Sequence, residues 1–211
     1  MRYDSLKIGG ALYVIAAFQF LVFELVAETL YPGYSVSNNY ISDLGATCVA
    51  PPDNTSCVVH QPSAAIFDTT VFLLGLILLL GTFLVYRGTR KKPYAIATAV
   101  ADLAIVLIGI FPENTGWTHA IISEVAFLST GISLVLAWTV VKGGVFGYLA
   151  VAFGVLTLFF TFVGVPAVGV GGGEWLLVLP ALLGTLALGG YLTGQDSQVL
   201  VAKQKAPAQA A

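Results

Sequence analysis

The sequence predicts an all-α protein, an integral membrane bundle of six transmembrane helices with both the N and C termini cytoplasmic. Three observations predict it. The 211-residue chain is 57% hydrophobic and only 9% charged, with a mean hydropathy of +0.90, whereas soluble domains carry about 25% charged residues. Six apolar runs are each long enough for a bilayer core of ~30 Å, which takes about 20 helical residues. All nine Lys and Arg fall on one side of those runs, the distribution that marks cytoplasmic loops.

In chain order the runs are Ile8–Leu30, Ala64–Tyr86, Tyr94–Phe111, Ala120–Val141, Val145–Val165 and Trp175–Leu192. The first follows Arg2 and Lys7 and has no small-residue cleavage site, so it is expected to stay as a span. The second ends at a basic link, Arg87, Arg90, Lys91 and Lys92. Phe111-Pro112 closes the third, because the residue before proline is pushed out of the helical region. Trp117 heads the fourth as an interfacial aromatic, and Lys142 separates it from the fifth. Pro166 and Gly171–Gly173 read as an outer loop before Trp175 opens the sixth. Continuous apolarity favours helices over a barrel, whose strands would alternate. Gly190 and Gly194 have the spacing that lets helices approach closely.

This gives one six-helix domain over residues 1–211, with an outer loop at 31–63 and a flexible cytoplasmic tail at 195–211. The cytoplasmic links are too short for a catalytic domain and hold no phosphate-binding glycine loop. A net charge of −2 gives no basic face. Neither nucleotide nor nucleic acid is therefore an expected partner.

Both cysteines, Cys48 and Cys57, lie in the outer loop, where an oxidising compartment permits a disulfide; the alternative is two free thiols. Asn54-Thr55-Ser56 between them is a glycosylation acceptor sequence or a chance match.

Ionisable residues inside spans cost about 2.5–3.5 kcal/mol each at a helix centre. Glu24, Glu28, Asp68, Asp102 and Glu124 nonetheless fall within the runs, mostly in their outer parts. Asn38, Asn39, Asp43 and His60 lie in the first outer loop, and Glu113, Asn114 and His119 in the second. Acids and both histidines thus gather toward one leaflet with no local Lys or Arg. Three conditions make that tolerable. Carboxyls become protonated by burial and mutual repulsion. A divalent metal neutralises them, with His60 and His119 as nitrogen ligands beside Asp43, Glu113 or Glu124. Or a water-filled outward pocket solvates them. The plain alternative is that each acid hydrogen-bonds a neighbouring helix and fixes packing.

The outer-loop string Asn39-Tyr40-Ile41-Ser42-Asp43-Leu44-Gly45, and Gly109-Ile110-Phe111-Pro112-Glu113-Asn114 ahead of His119, resemble the domain-of-unknown-function 998 family of archaeal and bacterial membrane proteins. They are more distantly similar to the DRAM/Frag/Sfk group, whose first lumenal loop has an Ile-Ser-Asp-x-Gly segment. The resemblance covers the first four spans, and beyond Val145 no motif matches. It points to Asn39, Ser42, Asp43, Gly45, Pro112, Glu113 and His119, and the second group implies lipid as a partner class. Asp43-Leu44-Gly45 also reads as a simple turn in which Gly supplies a positive φ.

The expectation is a cell-membrane protein whose outward acidic and imidazole pocket binds or modifies membrane lipid, as a hydrolase or transferase in the enzymatic version. His119 would be general base or metal ligand. Asp43 and Glu113 would orient or ligate, and Glu124 would stand behind them. Asn39, Ser42 and Asn114 would line the pocket with Glu24, Glu28, Asp68 and Asp102. Two alternatives stand: a proton- or cation-coupled carrier or channel running along Glu24, Glu28, Asp68 and Asp102, and a non-catalytic scaffold.

Overall fold

The structure, a computed structural model, describes residues 2–53, 55–141, 143–164 and 166–194. The acceptor residue Asn54, the inner-link Lys142 and the tail at 195–211 lie outside the described residues. Six helices carry the fold: α1 Arg2–Leu30, α2 Ser63–Thr89, α3 Lys92–Ile110, α4 Trp117–Leu136, α5 Val145–Phe162 and α6 Gly169–Thr193. Each is long and apolar enough to cross a membrane. The chain is a multi-pass membrane protein.

Each helix packs on the next, and α6 packs back on α1 to close a ring. Successive helices run antiparallel, which gives the bundle two distinct ends. The loop end holds the close of α1, the start of α2 and the start of α6. The basic end holds Lys7 and the α2–α3 link, where Arg90 takes a left-handed φ of 59° as the cap of α2.

Lipid offers no hydrophobic drive for helices to associate, so small residues that admit close packing hold such bundles together. At the basic end a Cβ on Gly189 would stand 2.7 Å from the carbonyl oxygen of Gly10, so α6 and α1 touch through backbone. Gly75 meets α3 in the same way, 2.5 Å from the Val106 nitrogen, and Gly109 meets α2, 2.6 Å from the Phe72 nitrogen. The Gly190–Gly194 spacing, which 23 glycines can produce by chance, makes no such contact: Gly190 has nothing within 4 Å of its Cβ position. The register of contact is one residue earlier.

The largest departure from the sequence expectation is α6, which starts at Gly169 rather than Trp175. Gly171–Gly173 are helical, and the reason is the surface beneath them. A Cβ on Gly171 would stand 2.5 Å from the Val36 carbonyl oxygen and closer still to that of Asn39. Gly169, at φ +77°, sits equally close over Ser37. The glycines let the first turns of α6 rest on the backbone of the long loop. That extension carries Glu174 into the helix.

The long loop has structure of its own. Thr47–Val49 (β1) pairs antiparallel with Ser56–Val58 (β2), and the register sets Cys48 opposite Cys57. The two cysteines form a disulfide. Ahead of the hairpin, Ser42–Leu44 is a 3-10 turn whose Asp43 and Leu44 are buried. Gly45 follows it at φ −82°, so the positive φ expected there is not needed. Its small size is: a Cβ would come within 2.5 Å of Asp68 Oδ1.

Candidate functional site

The Ser42–Leu44 turn is the hub of the loop end. Asp43 sits beneath it, 5% exposed, and its Oδ2 accepts from Asn39 Nδ2 at 2.9 Å and from the Tyr40 N–H at 3.1 Å. Asn39 is occupied at its other end too, since its Oδ1 accepts the Ser35 N–H at 3.2 Å. Asn39 and Asp43 thus brace the loop. Burial pushes the Asp43 carboxyl above its ordinary range, and the two donors pull it partly back.

Glu113 approaches the same turn from the α3–α4 connection. Phe111 caps α3 where the chain leaves the helix ahead of Pro112, and a 3-10 turn at Glu113–Thr115 leads into α4. The Ser42 hydroxyl donates to Glu113 Oε2 at 2.8 Å, and the Cys48 N–H donates to the same carboxyl group. Glu113 therefore ties the turn to the disulfide hairpin. Burial, with the charge of Asp43 as a smaller contribution, pushes it up to about 7.

His119 lies 8% exposed in the first turn of α4. Its Nδ1 is 2.8 Å from the Phe111 carbonyl oxygen. A carbonyl only accepts, so Nδ1 carries the proton and Nε2 is left with a lone pair. That nitrogen faces the Ser123 hydroxyl at 3.4 Å, one helical turn further on.

A sixth intramembrane acid completes the group. Glu174 accepts the N–H of Ile41 through Oε2, and the Ser42 N–H also bonds its carboxylate. Two backbone donors from the turn thus hold one carboxylate of α6. Glu174 stands between a glycine run that reads as loop and a tryptophan that reads as the start of a span, so the division into spans and loops does not mark it. A charge directly beside an interfacial Trp was the available signal.

These residues stand around the mouth of one elongated cavity of about 120 Å³ inside the ring. Ser42, His119, Ser123 and Glu174 line it at the loop end. Apolar side chains such as Phe67, Val71, Leu74 and Leu78 follow down α2. From His119 to Leu134 along α4, both on the wall, it runs roughly 22 Å at 1.5 Å per residue. A second cleft between α5 and α6, with Phe160, Val163 and Leu177 on its walls, shares Glu174 with the first.

The deep part of the cavity holds a polar chain. Thr82 donates to Asp102 Oδ2 at 2.6 Å, which leaves its oxygen to accept from the Tyr13 hydroxyl at 2.9 Å. Tyr13 in turn accepts from the Tyr94 hydroxyl at 2.8 Å. Asp102 is 2% exposed and lines the cavity with both tyrosines. Tyr13, Thr82 and Tyr94 come from three different helices and share no local spacing, so nothing in the sequence marks them as a group.

The model of the family described as "Protein of unknown function (DUF998)" matches residues 14–191. The chain belongs to this family. The DUF998 match continues through α5 and α6, beyond the four spans whose motifs carried the resemblance. It lends nothing to the DRAM/Frag/Sfk similarity. No curated protein and no solved structure matches the chain.

Other expected site residues of this DUF998 chain stand elsewhere. Glu124 is exposed on α4. Five residues on from His119, at about 100° per residue, it faces some 140° away from the cavity side. Asn114 is exposed in its 3-10 turn. Asp68 is half-buried against Gly45. Glu24 is fully buried and Glu28 partly so, one turn apart on α1 beside Glu174. His60 packs edge-on against Tyr31, ring centroids 4.5 Å apart, while His119 is committed to Phe111. The metal pairing of the two histidines is not assembled, and among the described residues no three of His, Cys, Asp and Glu are placed to hold an ion.

Proposed function

We propose that this chain binds a membrane lipid, with the apolar chain in the central cavity and the polar head at the level of Ser42, His119 and Glu174. The observation that carries it is the cavity itself: an elongated apolar lumen with polar groups gathered at its loop end. Ligand sites have this make-up, mostly apolar walls and a few placed polar groups. Its length is that of an extended long acyl chain. The one-sided distribution of Lys and Arg supports a loop end outside a cell membrane and both termini in the cytoplasm. The His119–Ser123 pair adds a chemical option to binding: Nε2 is the proton acceptor for any hydroxyl placed at this level.

Native mass spectrometry of the protein released from mild detergent tests the reading. Wild type is expected to retain lipid-sized adducts. Ala126→Phe, which fills the cavity from α4 at a 3% exposed position lining it, is expected to lose them while keeping its disulfide and its thermal transition. Equal adducts on both proteins, or none on either, would overturn lipid occupancy of the cavity.

One observation favours a second reading, a proton or cation carrier. The Tyr94–Tyr13–Thr82–Asp102 chain supplies exchangeable groups in the inner part of the bundle, where the sequence had shown few. Proton flux into liposomes that Asp102→Asn abolishes, with Ala126→Phe unaffected, would support the carrier over the lipid site.

A further inference from the structure

The groups at the head level also restrict which lipid fits. Around the loop end of the cavity stand Glu174, Glu113, Asp43 and His119, and behind Glu174 stand Glu24 and Glu28. Glu24 is 0% exposed, and neither of its carboxylate oxygens has a hydrogen-bond partner. Its charged neighbours are two further carboxylates, Glu28 and Glu174. The described Lys and Arg lie at the opposite end of the bundle, in the first turns of α1 and around the α2–α3 link. A phosphate or carboxylate head seated here would meet further carboxyl groups and no guanidinium or ammonium, the groups that ordinarily receive it. An ammonium head would meet a carboxylate already oriented by the N–H groups of Ile41 and Ser42.

We infer that the cavity selects a long-chain primary amine, its ammonium seated on Glu174 with Glu24 behind it and its alkyl chain along the apolar lumen. This rests on the lipid reading above and narrows it by head chemistry. The ammonium donates to the carboxylate on one side and to Ser42 Oγ or His119 Nε2 on the other, both of which line the cavity. Charge-assisted bonds of this kind are roughly twice as strong as neutral ones.

The test is a comparison of three probes of equal chain length, octadecylamine, octadecanol and stearate, titrated into the purified full chain in dodecylmaltoside and read by native mass spectrometry. Octadecylamine is expected to bind about tenfold tighter than octadecanol, the equivalent of 1.4 kcal/mol, with stearate weakest. In Glu174→Gln and in Glu24→Gln the ratio of amine to alcohol affinity is expected to fall toward one. Glu24→Gln leaves the bonds of Glu174 to the Ile41 and Ser42 amides in place, so it reports even where Glu174→Gln disturbs the loop. Equal binding of amine and alcohol, a preference for stearate, or an amine preference that survives both substitutions would overturn the head assignment and leave the lipid site standing. Failure of all three probes to bind would remove the lipid reading itself.

Discussion

Replacing Gly171 by alanine tests whether α6 is docked on the long loop, because two opposing effects give it a definite sign. A glycine-to-alanine change inside a helix ordinarily stabilises by up to about 1 kcal/mol. At Gly171 the new Cβ would stand 2.5 Å from the Val36 carbonyl oxygen and nearer to that of Asn39. Ordinary carbon–oxygen contacts begin at about 3.3 Å, so the loop and the helix must part by more than ~1 Å. Both obstacles are backbone, so no rotamer change relieves them, and the cost belongs at the upper end of the ~1–3 kcal/mol range for overpacking. The net expectation is a loss of about 2 kcal/mol after the helix gain. Gly173, two residues on, has nothing within 4 Å of its Cβ position, and Gly173→Ala is expected to gain up to about 1 kcal/mol. Equilibrium unfolding in mixed micelles measures both. Amide exchange at Ile41, whose N–H is held by Glu174, reports the local separation and should quicken in Gly171→Ala alone. Two substitutions of the same sign, or an unchanged Ile41 amide, would refute the docking of α6 on the loop.

Three further outcomes follow from contacts already described. Thr82→Val leaves Asp102 Oδ2 without its donor and the Tyr13 hydroxyl without an acceptor, so unfolding should show a loss of about 1–3 kcal/mol, whereas Thr82→Ser keeps both bonds and should lose markedly less. Converting Cys48 and Cys57 together to alanine opens a loop of sequence separation 9; the chain-entropy cost is about 2.5–3 kcal/mol, to be seen as faster proteolysis between β1 and β2. Glu113, held up to about 7, keeps its proton in the folded protein after the unfolded chain has lost it. Its contribution is therefore fully present below the usual carboxyl range near 4.5 and declines as pH rises through about 7. Glu113→Gln should flatten that slope in a pH series of unfolding midpoints, and an unchanged slope would show that another group produces it.

The six helices were legible in the sequence because bilayer thickness imposes a length and a composition that few other structures share. Their order around the ring was not, since close glycine contacts such as Gly10 with Gly189 join residues far apart in the chain. At the site, Ser42, Asp43, Glu113 and His119 stood out as polar groups beside recognisable strings. Glu174 did not, because Gly171–Gly173 carry a turn signal in sequence and are instead helical, with Gly171 resting on the loop backbone. Glu124 shows the converse: depth along a span can be counted from the sequence, but the direction a side chain faces depends on which helices flank it. Asp102 was visible as a buried charge, while the three hydroxyls that link to it were hidden among ordinary span residues. The sequence also could not pair His60 with Tyr31, a contact made by loop geometry alone.

The Glu174 carboxylate forms part of the wall of the central lumen and part of the wall of the α5–α6 cleft. That same side chain is held by the Ile41 and Ser42 amides, so a displacement of it toward either space breaks those bonds. Movement of Glu174 and anchoring of the loop are thereby opposed, because the turn it holds also carries Asp43 and the Ser42 hydroxyl bonded to Glu113.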